Sequence, residues 1–338
     1  MGKDTFPSIH FLKRLFALAF LFLILNGTRA SAQTCSCAGA PLIGSQSTGT
    51  TEQGSLLIGL TYEFNEITRL YSGSDQLTND SSERNTQSTL LELNYGITDR
   101  LSLSGTFSFV YKERVSGLRN PGGTQSSSTT GIGDGLLMLR YNIVQQSLWN
   151  RYHLAAGAGA KAPLGNTSHD NNSGLLFNAD MQSGTGAWDG VFWGYGAVSL
   201  LPFSTANISL TSSYRLTGEN ERFNDSDNYQ FGNELVLALR AANGITDRFG
   251  YSAGVRYRST SSDRLNEAIQ PNTGGKWVSL ISGINYGFSD RISASVSGRL
   301  PVYQYLKGTQ PTTTFSASAS LFINFNSSNN QFSYGNSQ

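Results

Sequence analysis

Hydrophobic and polar residues alternate along most of the chain from residue 55 onward. In the clearest run, 315–325, every odd position is Phe, Ala, Leu or Ile, and the even positions are mostly Ser or Asn. A period of two places successive side chains on opposite faces of a β-strand. About twelve such runs can be counted, separated by polar segments rich in Gly, Ser, Asn and Pro. The pattern therefore predicts an all-β chain.

Three short segments join consecutive runs and share the sequence Gly-(Ile/Phe)-(Thr/Ser)-Asp-Arg. They are residues 96–100, 244–248 and 287–291. Each predicts a tight hairpin turn, in which the glycine supplies an unusual φ and the Thr/Ser-Asp pair hydrogen-bonds the nearby backbone. An ordinary soluble hairpin is the alternative. Against it, one face of the flanking runs is almost wholly apolar, while the other carries Ser, Thr, Gly and Asn with scattered charges.

The other connections fall into two groups by length. Long polar segments at 65–86, 113–134, 163–180, 218–228 and 259–275 are odd-numbered connections, whereas the three short turns are even-numbered. Long loops at one rim and short turns at the other are typical of bacterial outer-membrane barrels. If the N-terminus is periplasmic, the short turns lie at the periplasmic rim, and an even number of strands returns the C-terminus to that side.

One run has an ambiguous phase. Between 188 and 201 both alternating sets of residues are nearly equally apolar. We assign Val191, Trp193, Tyr195 and Ala197 to the lipid face.

The composition fits a membrane β-barrel. The chain has 338 residues, 37 of them glycine, and a mean hydropathy of −0.25. After residue 32 no stretch offers the ~20 apolar residues that a membrane helix needs. A barrel needs only alternate apolar residues, and it must close on itself because lipid cannot satisfy unpaired backbone groups. We therefore predict an antiparallel transmembrane β-barrel of about 12 strands in the outer membrane of a Gram-negative bacterium. Its aromatic girdle would include Tyr95, Tyr141, Tyr152, Tyr286 and Phe325.

The N-terminus has the features of a secretory signal. Lys13 and Arg14 precede an apolar run at 15–25, and Ala30-Ser31-Ala32 forms a cleavage site. The predicted organisation is a signal peptide at 1–32, a flexible segment or small plug at 33–54, the barrel at 55–325 and a polar tail at 326–338. Cleavage removes four basic residues and one acidic residue, so the formal charge of +1 becomes about −2. This balance gives no support to nucleic-acid binding.

Cys35 and Cys37 are the two cysteines of the chain. A lipoprotein reading lacks the leucine expected before Cys35, and a metal site lacks two further ligands nearby. A strained local disulfide and pairing with another chain both stay open.

The polar face of each strand should line the lumen. Counting in phase gives three acidic and eight basic candidates, with Asp189 as a further acidic one. The eleven are Glu63, Glu92, Glu234, Lys112, Arg140, Lys161, Arg215, Arg240, Arg256, Arg258 and Arg299. Two readings stay open for these charges: ion pairs that brace the barrel, or a bias of the channel toward anionic or polar solutes.

The residues offer little support for an enzyme. A lipid hydrolase would need a Ser or Asp beside His153 or His169, and no local spacing provides one. The segment 131–134, Gly-Ile-Gly-Asp, is not a phosphate loop, because a strand follows it and the later glycine is missing. We predict no catalytic residue, no cofactor and no metal site.

Three segments carry a family resemblance. They are Gly-Ile-Gly-Asp at 131–134 followed by Leu137 and Arg140-Tyr141, the glycine-rich run 156–165 ending in Lys-Ala-Pro-Leu-Gly, and Gly-Thr-Gly-Ala-Trp-Asp at 184–189. Together they resemble the exported barrels grouped as the "MetA-pathway of phenol degradation" family, across most of the mature chain. The resemblance implies an outer-membrane transport role, in some members tied to hydrophobic or aromatic compounds.

The prediction is thus an outer-membrane channel for passive passage of small solutes. At about twelve strands the interior is wider than an eight-stranded barrel and narrower than a general porin. The expected partners are outer-membrane lipid, a small-molecule solute and the outer-membrane assembly machinery. The alternatives are a structural or adhesive barrel whose outer loops bind partners and, with less support, a lipid-modifying enzyme.

Overall fold

The computed structural model describes residues 51–79, 81–147, 150–171, 173–200 and 206–325. These residues form seventeen β-strands and one 3₁₀ turn, η1 (Ala179–Met181). No helix in the described part of the chain is long and apolar enough to cross a membrane. The strands are β1 (Leu56–Gly73), β2 (Asp75–Leu77), β3 (Ser82–Gly96), β4 (Leu101–Ser116), β5 (Gln125–Ile132), β6 (Gly135–Val144), β7 (Tyr152–Ala162), β8 (Asp189–Ser199), β9 (Asn207–Leu216), β10 (Glu219–Phe223), β11 (Asp227–Gln230), β12 (Glu234–Gly244), β13 (Phe249–Thr260), β14 (Arg264–Leu265), β15 (Ala268–Ile269), β16 (Gly275–Gly287) and β17 (Ile292–Phe325).

Eleven of these strands close into one antiparallel sheet. The order is β17-β16-β13-β12-β9-β8-β7-β6-β4-β3-β1, and β17 also pairs with β1. The strand β17 doubles back at Gly308, whose φ is 77°. Its first arm pairs with β16 over 293–306, and its second arm pairs with β1 over 309–325. Eleven elements therefore make twelve crossings, which confirms the predicted closed barrel of about twelve strands.

The outer surface carries an apolar band. Large hydrophobic side chains are exposed at alternate positions of nearly every barrel strand, for example Leu91 in β3 and Leu139 in β6. The five predicted girdle residues are all between 43% and 53% exposed. Burial of apolar side chains is what normally stabilises a fold in water, so a continuous exposed band requires a lipid surround.

The three repeated turns share one hydrogen-bond pattern. In the second, the backbone N–H of Ile245 donates to the carbonyl of Phe249 at 2.7 Å, and the N–H of Phe249 donates to Oγ1 of Thr246 at 3.0 Å. The first and third turns repeat both bonds through Thr98 and Ser289. The hydroxyl therefore closes each turn, as predicted. The predicted role of the glycine is wrong, because none of the three glycines has a positive φ.

The rim opposite these turns, here called the loop rim, is more ordered than the sequence predicted. The strand β1 continues to Gly73 and β3 begins at Ser82, so most of the predicted loop 65–86 is strand. Likewise β5 pairs with the end of β4 inside the predicted loop 113–134. These extensions interrupt the apolar alternation with residues such as Glu66, Arg69 and Ser126, so the period-two signal ends before the strand does. The strands β10, β11, β14 and β15 form a separate four-stranded sheet within two further predicted loops.

The strand β8 has the opposite phase to the one predicted. Val191 and Trp193 are 2% and 4% exposed, whereas Phe192 is 53% exposed. The outward positions beside Phe192 are Gly190 and Gly194, which add no apolar side chain to the outer face. The glycines leave the outward positions without apolar side chains in the sequence. The inward positions carry aromatic residues, which the sequence analysis took for lipid-facing ones.

Several predictions concern residues outside the described ranges. They are the signal peptide at 1–32, the cysteines Cys35 and Cys37, most of the segment 33–54 and the tail 326–338. The last residues of the 33–54 segment are described, and there the backbone N–H of Gly54 donates to the carbonyl of Gly96 at 2.8 Å.

Candidate functional site: the barrel interior

The interior has two unlike walls. The packed wall is formed by the inward faces of β3, β4, β6, β7 and β8, and the open wall by those of β9, β12, β13, β16, β17 and β1. Apolar side chains on the packed wall form one buried cluster of Leu90, Val110, Leu136, Met138, Ala155, Val191 and Trp193. The sequence did not predict this cluster, because the apolar residues of each strand were assigned to the lipid face.

The predicted lumen charges divide between these walls. Four of them lie on the packed wall and are only 1–3% exposed: Glu92, Lys112, Arg140 and Lys161. Seven lie on the open wall and remain partly exposed: Glu63, Arg215, Glu234, Arg240, Arg256, Arg258 and Arg299. The same residue types are thus sealed from solvent on one side of the barrel and in contact with it on the other.

The connection between β7 and β8, residues 163–188 and here called the inward loop, folds against the packed wall. Lys112 donates from Nζ to the carbonyls of Asp180 at 3.0 Å and Gln182 at 2.6 Å. Thr129 donates from Oγ1 to the carbonyl of Met181 at 2.6 Å. Met181 and Gln182 are fully buried. The buried Lys112 therefore anchors the inward loop rather than lining open space.

A salt-bridge cluster fixes the same part of the inward loop. The carboxylate of Asp180 lies 2.6 Å from Nη1 of Arg84 and 3.1 Å from Nη2 of Arg114. Burial by itself would raise the pKa of Asp180, but the two guanidiniums outweigh it and hold that pKa well below the usual range. Asp180 is therefore ionised in the folded protein.

A second anchor joins the three segments that carry the family resemblance. The carboxylate of Asp134 lies 2.7 Å from Nζ of Lys161, and it accepts hydrogen bonds from the N–H and Oγ1 of Thr185 at 3.0 and 2.6 Å and from the N–H of Gly165 at 3.3 Å. Lys161 also contacts Asp189 at 3.2 Å. The three segments that carry the family resemblance therefore form a buried cluster, here called the latch, that holds the inward loop in place. Sequence analysis placed Asp134 in a rejected phosphate loop and in a resembling segment, but it did not predict this contact role.

Close backbone contact completes this latch. A Cβ atom added to Gly165 would lie 2.5 Å from Cα of Gly184, and one added to Gly184 would lie 2.6 Å from Cα of Gly165. Only glycine allows the two segments to approach this closely, because any side chain would overlap backbone atoms. The spacing of glycines in both motifs follows from this contact.

Ion pairs account for most charges of the open wall. Arg258 donates from Nε to Glu234 at 2.6 Å, and Arg299 lies 3.1 Å from Glu63. Arg215 lies 3.8 Å from Asp189 at the boundary with the packed wall. Arg240 and Arg256 form neither a hydrogen bond nor an ion pair with any residue that the structure describes.

His153 and His169 occupy unlike sites. Nε2 of His153 lies 2.8 Å from Oδ1 of Asn142. Nε2 of His169 lies 3.1 Å from Oγ of Ser183, a pair that the sequence did not predict. Ser183 is fully buried, and its Oγ also donates to the carbonyl of Asn166 at 3.2 Å. A buried hydroxyl committed to the backbone cannot reach a substrate, so this pair orders the inward loop. The described residues contain no group of three His, Cys, Asp or Glu side chains placed to hold a metal ion.

Comparison with known proteins supports the fold. No protein-family model and no curated protein sequence matches the chain. Among solved structures, the COG4313 outer membrane channel from Pseudomonas putida F1 is similar with a TM-score of 0.65 and 14% identity, over 83% of this chain and 98% of that one. The translocator domain of the autotransporter NalP from Neisseria meningitidis has a TM-score of 0.44 and 9% identity, over 94% and 95% of the two chains. At 14% identity the similarity to the COG4313 channel shows the fold alone. Together with the exposed apolar band, this similarity identifies the chain as an outer-membrane β-barrel located in the cell outer membrane.

Proposed function

We propose that this barrel is a channel for the passive passage of small solutes across the outer membrane. The observation that carries the proposal is the difference between the two walls. Charged side chains are sealed on the packed wall and partly solvent-exposed on the open wall. A barrel filled by side chains alone would bury both sets equally. Partial exposure of inward charges therefore favours a water-filled path along the open wall.

The path is narrower than the barrel. The inward loop and the apolar cluster occupy the side of β3 to β8. The remaining space lies beside the open wall, which suits small molecules rather than polymers. A channel of this kind needs no energy source, because solutes follow their concentration gradient.

The solute class is part of the same proposal. The motifs around Asp134, Lys161 and Thr185 resemble those of exported barrels tied to hydrophobic or aromatic compounds. The cluster around Leu136 and Trp193 is buried, so the resemblance is what supports this solute class. We include small hydrophobic or aromatic molecules among its solutes, with outer-membrane lipid around the barrel and the assembly machinery as the partner that inserts it.

Purified protein in planar bilayers and liposomes tests the channel. We expect discrete conductance steps and swelling of liposomes in solutions of small sugars or benzyl alcohol. Protein that has been heat-unfolded before reconstitution is the control, and it should give neither. Folded, inserted protein that conducts no ions and admits no solute would contradict the proposal.

A second candidate function rests on the loop rim. The strands β10, β11, β14 and β15 form a sheet separate from the barrel sheet, and its aromatic residues Phe223, Tyr229 and Phe231 pack in one cluster with Ala179 of the inward loop. Such a sheet could present a binding surface to a partner. Deletion of 264–269 that abolishes adhesion and leaves permeability unchanged would favour this function over transport.

A catalytic role has less support than either. Ser183 is the hydroxyl that contacts His169, and it is buried. We propose that the protein is not an enzyme. The variant His169→Ala should leave lipid composition unchanged in cells that express it, and altered lipid products in those cells would argue for catalysis.

A further inference from the structure

Two rows of three residues, each crossing three neighbouring strands, begin with an arginine followed by a glycine. The two rows differ in their third residue. On the packed wall, Arg140 pairs in register with Gly157, and Gly157 pairs with Trp193. On the open wall, Arg240 pairs with Gly254, and Gly254 pairs with Ile281. In both rows an arginine on one strand faces a glycine on the next.

Each glycine lies beneath the stem of its arginine. A Cβ atom on Gly157 would lie 3.1 Å from Cγ of Arg140, and one on Gly254 would lie 2.9 Å from Cγ of Arg240. The missing side chain therefore lets each arginine lie across the neighbouring strand. In the first row the guanidinium carbon ends 4.8 Å from the ring centroid of Trp193. In the second row Ile281 offers neither charge nor an aromatic face.

Arg240 and its neighbour Arg256 are consequently unlike the other arginines of the open wall. Arg258 and Arg299 each contact a carboxylate, at 2.6 and 3.1 Å. Arg240 and Arg256 contact none within the described part of the chain, although both are inward-facing and partly exposed. Arg299 is a charged neighbour of both, and Arg256 also has Arg258 and the carboxylates of Glu234 and Glu63 in its surroundings. Four guanidiniums thus face two carboxylates, which leaves an excess of positive charge on the open wall.

We propose that Arg240 and Arg256 bind the carboxylate of small organic acids during their passage through the barrel. A guanidinium presents a planar set of donors that matches a carboxylate, and it stays charged at any physiological pH. The side chains of Val236 and Ile281 lie on the same inward face but are buried, so the two guanidiniums are the groups that a passing solute meets here. This inference rests on the proposed channel function and names its solute class.

Three probes that share one ring test the charge preference. Benzoate, benzyl alcohol and benzylammonium are compared by liposome swelling, and the reversal potential is measured in a KCl gradient. Wild-type protein should admit benzoate faster than benzylammonium by on the order of tenfold, because fixed positive charge concentrates anions in the lumen. Its reversal potential should have the sign of an anion-selective channel.

The double variant R240Q/R256Q should lose most of this preference and move the reversal potential toward zero. Arg248→Gln, which removes an exposed charge at the turn rim, is the matched control and should behave as wild type. If the double variant does not fold, judged by heat-modifiable gel mobility, R240Q and R256Q are tested singly. Equal entry of the three probes into wild-type vesicles, or an unchanged preference in the variants, overturns the carboxylate site alone. No entry of any probe overturns the channel as well.

Discussion

Arg140 stacks on Trp193 across Gly157, with 4.8 Å between the guanidinium carbon and the ring centroid. The two residues belong to β6 and β8, and β7 separates them in the sheet. The contact is possible because β7 carries glycine at the position between them. A cation above an aromatic face in a desolvated site contributes roughly 2 kcal/mol. Sequence spacing alone would not pair these residues.

Gly157→Ala should therefore destabilise the barrel. Its Cβ atom would lie 2.7 Å from the carbonyl oxygen of Leu139 and 3.1 Å from Cγ of Arg140, so the Arg140 side chain or the backbone must shift. We expect a loss of ~1–3 kcal/mol in the free energy of unfolding, measured by urea titration of the folded protein in detergent. Gly298→Ala is the control, since nothing lies within 4 Å of its added Cβ. Equal effects at the two sites would show that the stacked contact does not depend on Gly157.

Asp134→Asn should release the inward loop. The substitution keeps the size of the side chain but removes the charge that faces Lys161 at 2.7 Å. Loss of one member of a buried ion pair costs about 3 kcal/mol or more, although Asp189 still contacts Lys161 here. We expect faster protease cleavage within 163–188 and a larger single-channel conductance.

The exposed carboxylate of Asp170, in the same loop, provides the control. Asp170→Asn should change neither cleavage nor conductance, because its environment is mostly water. An Asp134→Asn protein with wild-type conductance and wild-type protease resistance would mean that other contacts are sufficient to hold the loop.

The ionised Asp180 side chain should stabilise the folded protein even at mildly acidic pH. Its pKa is depressed in the folded state by Arg84 and Arg114, despite the opposing effect of burial. A carboxyl with a depressed pKa stabilises the fold above its unfolded pKa and loses that contribution only as the pH falls through the folded value. Asp180→Asn should therefore be less stable than wild type at neutral pH, and the difference should shrink only below the ordinary carboxyl range. A difference that is constant with pH would contradict this account.

Asp263, at the loop rim, should show the opposite pH dependence. Burial raises its pKa, although hydrogen bonds from the N–H of Gly232 and the hydroxyl of Tyr229, each 2.8 Å long, act against that rise. A raised folded pKa means that stability increases as the pH falls from that value toward the ordinary carboxyl pKa. Asp263→Asn should remove this increase in urea titrations at neutral and mildly acidic pH. Retention of the full increase in the variant would place the titrating group elsewhere.

The turn hydroxyls allow a graded test. Thr246→Ala removes the acceptor of the Phe249 N–H, at 3.0 Å, and should cost about 1 kcal/mol. Thr246→Ser keeps the oxygen and should cost much less. Stability is read from the same urea titration, and Asp247→Ala serves as a neighbouring exposed substitution. Equal losses for the alanine and serine variants would exclude the hydroxyl as the cause.

The sequence allowed the prediction of those features that depend on local periodicity. These features all follow from residues close together in the chain. They are the apolar runs that include Leu91 and Leu139, the turn hydroxyls of Thr98, Thr246 and Ser289, and the number of crossings. The closed antiparallel barrel and its outer-membrane location are confirmed. The role assigned to the turn glycines was wrong because a glycine at a strand end need not have a positive φ.

The interior could not be predicted in the same way. Lys112 meets Asp180 and Gln182 across about 70 residues of sequence, and Asp134 meets Thr185 across 51. Periodicity assigns a face to each residue, but it does not say which residues of that face meet inside the barrel. The strand β8 was placed in the wrong phase for a related reason, since its inward Trp193 is as apolar as a lipid-facing residue.

The barrel can close only after the second arm of β17 has been made, because that arm pairs with β1. Leu56 opposes Phe325, so the seam of the cylinder joins nearly the two ends of the described chain. Until that seam forms, the N–H and C=O groups of β1 have no partner on one side, a state that hydrocarbon does not tolerate. A polypeptide truncated before residue 309 would lack the whole closing arm. We expect such a fragment to be degraded rather than inserted. The last seventeen residues of β17 are therefore required for insertion of the barrel.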